Sequence, residues 1–237
     1  MFRLHENFQY RIDCIGQEKQ PVMVVDNFLA EAENLIDLAI NNAKYKVVAD
    51  NFYPGMRKEA PNFYSQGMRD LMRKPLGKLG KLMFEAFQLD VNDLNCDSES
   101  FFSIVTVRPQ DLEIQQTIPH ADSVNPSALA FVHYLNGPEK GGTSFYKHRS
   151  TGFETANQSR TKEIISVLSS EFDRSKGPKE YINGSNDFFE RIASYDSAFN
   201  RILIYRQTSL HAPNIGKDYV FSEDQKTFRI TLNTFYD

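Results

Sequence analysis

The chain has 237 residues, 41 % of them apolar, with 19 Phe, 11 Tyr and no Trp, enough to fill the core of one barrel- or sandwich-sized domain. Its formal charge of -4 leaves no basic footprint, so nucleic acid is not an expected partner. Cys14 and Cys96 are far apart and make no disulfide framework, and no apolar run reaches signal-peptide length or the ~18 residues of a membrane span, so a soluble cytoplasmic protein without a membrane partner is expected.

In chain order, Pro21 to Asp26 is a β-branched strand. Ala30 to Asn42 follows with Leu35, Ile36, Leu38, Ala39 and Ile40 at amphipathic spacing, which predicts a helix capped by Asp26 or Asn27. Phe52 to Met56 reads as a turn. Gln66 to Leu89 keeps a helical period through Met68, Leu71, Met72, Leu76, Leu79, Leu82, Met83 and Phe87, with Lys and Arg on a solvated outer face. Pro75 and Gly77 interrupt it, giving two helices or one kinked helix.

From Ser100 the character changes to strands at Phe101 to Val107, Ala128 to Leu135, Thr143 to His148, Arg201 to Tyr205 and Phe228 to Tyr236. Between the third and fourth, Thr161 to Phe172 looks helical, 173–186 is polar with turn signals, and Phe188 to Tyr195 suits helix or strand equally. The expected architecture is one domain, 1–237. Residues 1–99 form a helical support and 100–237 a mainly β core with an insertion at about 154–199.

The chemistry-bearing stretch is Thr117-Ile118-Pro119-His120-Ala121-Asp122-Ser123. On an extended backbone, residues i and i+2 point to the same side, so His120 and Asp122 converge on one point. His211, after the fourth strand of that series, is the best third ligand. Two His and one carboxylate with open positions suit non-haem Fe(II). In the last strand, alternation places Arg229, Thr231 and Asn233 on one face. That face either meets solvent or lines a polar lumen. In a lumen, the Arg229 guanidinium needs a carboxylate, no acid in the chain is an obvious mate, and a dicarboxylate ligand would fill the place.

The order His120-x-Asp122, His211, Arg229 resembles the 2-oxoglutarate- and Fe(II)-dependent oxygenases. Val24 to Leu29, Tyr134-Leu135-Asn136 and Gly141-Gly142-Thr143 are similar to pieces of the prolyl 4-hydroxylase-like branch, in patches from about Pro21 to the C-terminus. The resemblance implies a double-stranded β-helix, a cupin-like jelly roll flanked by helices. It further implies Fe(II) on His120, Asp122 and His211, 2-oxoglutarate held by Arg229, and Tyr134 on the same carboxylate. The His211-to-Arg229 spacing of 18 is longer than is common in that family, so Arg206 stands as the alternative anchor.

His133 lies opposite Tyr134 by alternation and reads as structural. His148 reads either as a residue of the pocket mouth or as a surface His in a basic cluster. The implied activity is a dioxygenase, a hydroxylase of a protein side chain, an amino acid or a small metabolite, with a small-molecule cosubstrate. The alternatives are a non-enzymatic cupin-like protein that binds a metal or small acid, and a metal-dependent isomerase or epimerase on a related jelly roll. A dicarboxylate anchor at Arg229 separates the first from the others.

Overall fold

The structure, a computed structural model, describes residues 1–41, 44–47, 53–73, 77–90, 98–172, 179–222, 224 and 227–236. Cys96, Pro75, Phe52 and part of the polar 173–186 stretch fall outside them. The first half of the chain runs β1 (Gln9–Ile15), β2 (Gln20–Asp26), α1 (Glu33–Ile40), β3 (Lys46–Val47), β4 (Gly55–Glu59), α2 (Asn62–Arg73), α3 (Gly77–Ala86) and β5 (Ser98–Val105). The second half runs β6 (Leu129–Tyr134), β7 (Gly142–His148), α4 (Gln158–Phe172), β8 (Phe189–Tyr195), β9 (Arg201–Arg206), β10 (His211–Asn214) and β11 (Ile230–Tyr236).

The strands form a large sheet in the order β1-β2-β9-β6-β11-β5-β4-β3 and a small one in the order β10-β7-β8, with every pair antiparallel. Two antiparallel sheets facing each other, with α1–α3 on the outer face of the large one and α4 on that of the small one, make the expected jelly roll. The central strands of the large sheet are buried on both faces, which is why β2, β6 and β9 read as nearly continuous apolar runs, while β1 and β3 at its edges are exposed. One face, through Met23, Phe131, Ile204 and Leu232, packs on Leu35, Met68, Met72, Leu79, Met83 and Phe87 of the helical layer. The other, through Val24, Ala130, Val132, Leu203 and Tyr205, packs on Phe145 and Tyr195 of the small sheet. The space between the sheets therefore has one apolar half, and the polar residues of β11 lie in the other.

The N-terminal portion does more than carry helices, since β1–β4 flank both ends of the large sheet. α2 and α3 are separate helices, one of the two outcomes the interrupted period allows, and residues 74–76 between them lie outside the described residues. The expected cap of α1 is not formed. Asp26 pairs with Arg201 (Oδ1–Nε 2.6 Å) and Asn27 takes a left-handed turn at φ 53°, so both end β2, and α1 begins six residues later behind Ala32 without a side-chain cap. Of the stretch that suits helix or strand, Phe189–Tyr195 is strand, and α4 packs through Ile164 and Leu168 on the outer face of the small sheet. His148 is no surface residue: it is fully buried, 2.9 Å from Thr151 Oγ1 and 3.2 Å from Glu171 Oε2, and ties β7 to α4. No helix among the described residues is long and apolar enough to cross a membrane.

His133 is structural. Its Nε2 donates to Asn200 Oδ1 (3.1 Å), which also accepts from the Leu29 N–H, so Nδ1 accepts from Tyr64 Oη at 3.4 Å. Burial lowers its pKa from 6.5 to about 4, against the raising effect of the Asn200 bond. Between those values the unfolded chain binds the extra proton, so this contribution is complete above about pH 6.5 and disappears as pH falls toward 4. Its size is about 3 kcal/mol at ~1.4 kcal/mol per unit. Urea unfolding of metal-free protein across this range is expected to show His133→Gln with a shallower pH dependence than the parent. Equal slopes would refute the assignment.

Candidate metal and anion site

The site starts from a bridge between two segments that are distant in sequence. The His120 N–H donates to the His211 carbonyl and the His211 N–H to the His120 carbonyl, both at 2.9 Å. The Asp122 N–H donates to Gln207 O at 2.9 Å, so the chain after β9 holds the H-x-D segment by its backbone at two points. The side chains then converge. His120 Nε2 is 3.5 Å from Asp122 Oδ1, His211 Nε2 is 3.4 Å from Asp122 Oδ2, and the two rings are 4.6 Å apart. One ligand atom from each of the three residues lies within 4.8 Å of the others, a spacing at which one ion could touch all three.

The protonation states suit a cation. His211 Nδ1 faces the Ser209 carbonyl at 3.0 Å; a carbonyl only accepts, so the proton is on Nδ1 and the Nε2 lone pair points at Asp122. Burial pushes the His211 imidazole down to about 4, against the attraction of Asp122, so it is neutral at neutral pH. The backbone of Asp122 is open to solvent, while its side chain is 19 % exposed. Burial works to raise the Asp122 carboxyl, but His211, His120 and Arg57 outweigh it and hold the group below its ordinary value, ionised.

The cationic half of the candidate site is built by strand register. Reading across the large sheet, Tyr134 of β6 lies opposite Thr231 of β11, Thr231 opposite Ser103 of β5, and Ser103 opposite Arg57 of β4. Arg229 is 3 % exposed, with Nη2 donating to Gly142 O at 3.0 Å and its guanidinium 5.6 Å from the Tyr134 ring centroid. Its N–H donates to Tyr219 Oη at 2.9 Å. Tyr219 belongs to the extra residues that lengthen the gap after His211, so the long spacing builds a loop that fixes the Arg229 backbone. Gly142 is required where Arg229 meets it: a Cβ there would lie 1.8 Å from the Tyr195 carbonyl. Tyr134 Oη is 2.6 Å from Thr143 Oγ1.

Several buried polar atoms here have no partner: Arg229 Nε, Thr231 Oγ1, Asn233 Oδ1, Asn214 Oδ1 and Arg57 Nε. No carboxylate forms an ion pair with Arg229 among the described residues. Buried polar groups are normally paired, so such a cluster is a candidate place for a polar ligand. Arg206 is placed differently. It lies on the helix side of β9, with Nη1 donating to Pro126 O and Nη2 to Phe87 O (2.5 Å), so both ends of its fork already hold backbone carbonyls.

Two residues of the site were not anticipated. Tyr53 and Arg57 lie in and next to a stretch that reads as a turn, and Arg57 reaches the lumen only because β4 pairs with β5. Burial raises the Tyr53 phenol, while the Arg229 and Arg57 charges and a hydrogen bond with Arg229 pull it back, and the Arg57 guanidinium lies 5.2 Å from its ring centroid.

Fold and site together define a double-stranded β-helix protein with a His-x-Asp…His cluster beside a buried arginine. The chain belongs to the family of unknown function DUF6445, whose model matches residues 6–236. No curated protein matches it. Among solved structures it is similar to the non-haem α-ketoglutarate-dependent epimerase SnoN from nogalamycin biosynthesis, at 14 % identity and TM-score 0.50, covering 92 % of this chain and 79 % of that one. It is also similar to iron-bound HygX from Streptomyces hygroscopicus (10 % identity, TM-score 0.41, 97 % and 81 % covered). A third is an N-substituted L-amino acid dioxygenase from Burkholderia ambifaria AMMD (9 % identity, TM-score 0.40, 92 % and 82 % covered). The likeness is one of fold, and SnoN carries it.

Proposed function

We propose that the chain is an Fe(II)- and 2-oxoglutarate-dependent oxygenase, a hydroxylase related to the prolyl 4-hydroxylase-like branch, acting on a protein side chain, an amino acid or a small metabolite. His120, Asp122 and His211 hold the metal, Arg229 pairs with the far carboxylate of the cosubstrate, and Tyr134 donates to the same group. The observation that carries the reading is the buried Arg229 Nε without a partner, in the same lumen as the three-ligand cluster. A dicarboxylate with one end on a metal and the other on a guanidinium satisfies both halves of the site. If Thr143 donates to Tyr134 Oη, the phenol proton is free for the carboxylate. Bound Fe(II) and 2-oxoglutarate supply oxidative decarboxylation coupled to oxygenation, and the chain positions and shields them. The fold shared with SnoN agrees with this.

The test is reconstitution with Fe(II) under anaerobic conditions. Adding 2-oxoglutarate is expected to produce a weak visible charge-transfer band, and admitting air to give slow succinate release without any substrate. If iron-loaded protein gives neither, the chain is a metal- or acid-binding protein on the same fold.

A further inference from the structure

Resting on the oxygenase reading, we propose that Arg57 is the substrate-binding residue of this site and that the substrate is an organic monocarboxylate. Arg57 is a second lumenal guanidinium, on β4 opposite Ser103 in the row that continues through Thr231 to Tyr134. It lies 4.2 Å from the Phe101 ring centroid and 5.2 Å from that of Tyr53. These cation–π contacts hold the plane of the group and leave its hydrogen-bonding edge free. Among the described residues the guanidinium makes no hydrogen bond and no ion pair, and its Nε is buried. Its charge helps to lower the Asp122 carboxyl, so the guanidinium lies within electrostatic reach of the three-residue cluster.

Charge balance then selects the ligand. A divalent metal and dianionic 2-oxoglutarate cancel, and Asp122 offsets Arg229. Arg57 is left with an uncompensated positive charge in a partly desolvated space. Glu99 also feels this charge, but it is exposed and unpaired with Arg57, and solvent screens it. A single carboxylate matches both the charge and the planar fork. A phosphate ester carrying two charges would reverse the imbalance. Both carboxylates of 2-oxoglutarate are already assigned, one end to the metal and one to Arg229, so the group that meets Arg57 comes from a different molecule. Bound there, it would hang its remaining carbon skeleton beside Phe101 and Tyr53, close to the ligand cluster.

The experiment uses the full chain loaded with Mn(II) and saturating 2-oxoglutarate. The probes are hexanoate, octanoate and phenylacetate, each against its primary amide. Saturable broadening of probe proton resonances by Mn(II) reports occupancy near the metal. The acids are expected to bind and the amides to bind much more weakly. Arg57→Met should weaken the acids about tenfold or more, as loss of a charge-assisted bond implies. The same substitution should leave 2-oxoglutarate affinity within about twofold, because the two anions share no anchor. Arg57→Lys should recover part of the acid affinity. Amides binding as well as acids, no saturable broadening by any acid, or acids unaffected by Arg57→Met would overturn the proposal. So would a loss of 2-oxoglutarate rather than acid affinity, which would make Arg57 a cosubstrate residue. Failure of the unsubstituted protein to take up Mn(II) and 2-oxoglutarate is a separate outcome that removes the oxygenase reading itself, and this proposal with it.

Discussion

Asp122→Ala is expected to abolish tight Fe(II) binding while leaving the protein folded. Asp122 is the only carboxylate in the three-residue cluster, and both imidazoles approach it, at 3.5 and 3.4 Å. Removing it leaves only the two imidazoles facing a dication. Loss of an outer-sphere partner of a metal ligand already costs about 10–100-fold in affinity, so loss of the charged ligand itself should exceed that. The fold should survive because the bridge that joins the two segments is made by backbone atoms of His120, His211, Asp122 and Gln207, which the substitution keeps. Asp122→Asn keeps the shape and one neutral oxygen, and should fall between the alanine variant and the parent. The measurement is anaerobic Fe(II) or Mn(II) titration beside a thermal melt of the metal-free proteins. A folded alanine variant that binds metal as well as the parent would show that the cluster is not the metal site.

The H-x-D pair is legible because strand-like geometry acts over two residues, and the alternation that lifts Arg229, Thr231 and Asn233 onto one face acts over five. His211 is not local to either. Only its position after a strand marks it in the sequence, and what holds it in place is the bridge to His120. The elements missed in the sequence lack a local signal. β10 is four residues long and contains Pro213, which a strand tolerates at a sheet edge but which argues against a strand when read alone. β4 carries polar residues on both faces, so Met56-Arg57-Lys58-Glu59 shows no period-two pattern, and the lumenal role of Arg57 appears only once Ser103 is known to lie opposite. His148 looks basic and exposed beside Lys147 and Arg149, because its partner Glu171 is 23 residues away on α4. Long-range pairing fixed each of these, and no window of sequence contains it.

Arg229→Gln is expected to keep the fold and the metal but lose 2-oxoglutarate. The guanidinium is 3 % exposed, its Nε has no partner, and no described carboxylate pairs with it. If a dicarboxylate fills that place, removing the arginine leaves a buried carboxylate without its counter-charge, which costs on the order of 3–5 kcal/mol. That corresponds to several hundred-fold or more in affinity, at ~1.4 kcal/mol per tenfold. Arg229→Lys should retain part of it, because a point charge replaces a planar fork and cannot bind both carboxylate oxygens side by side. Calorimetry of 2-oxoglutarate on Mn(II)-loaded protein reads the effect, and Mn(II) affinity, expected to be unchanged, shows that the site is otherwise whole. Arg206→Gln is the matched control. It removes donors from the Pro126 and Phe87 carbonyls on the helix side of β9, so it should cost about 1–3 kcal/mol of stability and little cosubstrate affinity. Should Arg206→Gln abolish binding while Arg229→Gln leaves it intact, the anchor is Arg206, and the unpartnered atoms around Arg229 belong to some other ligand.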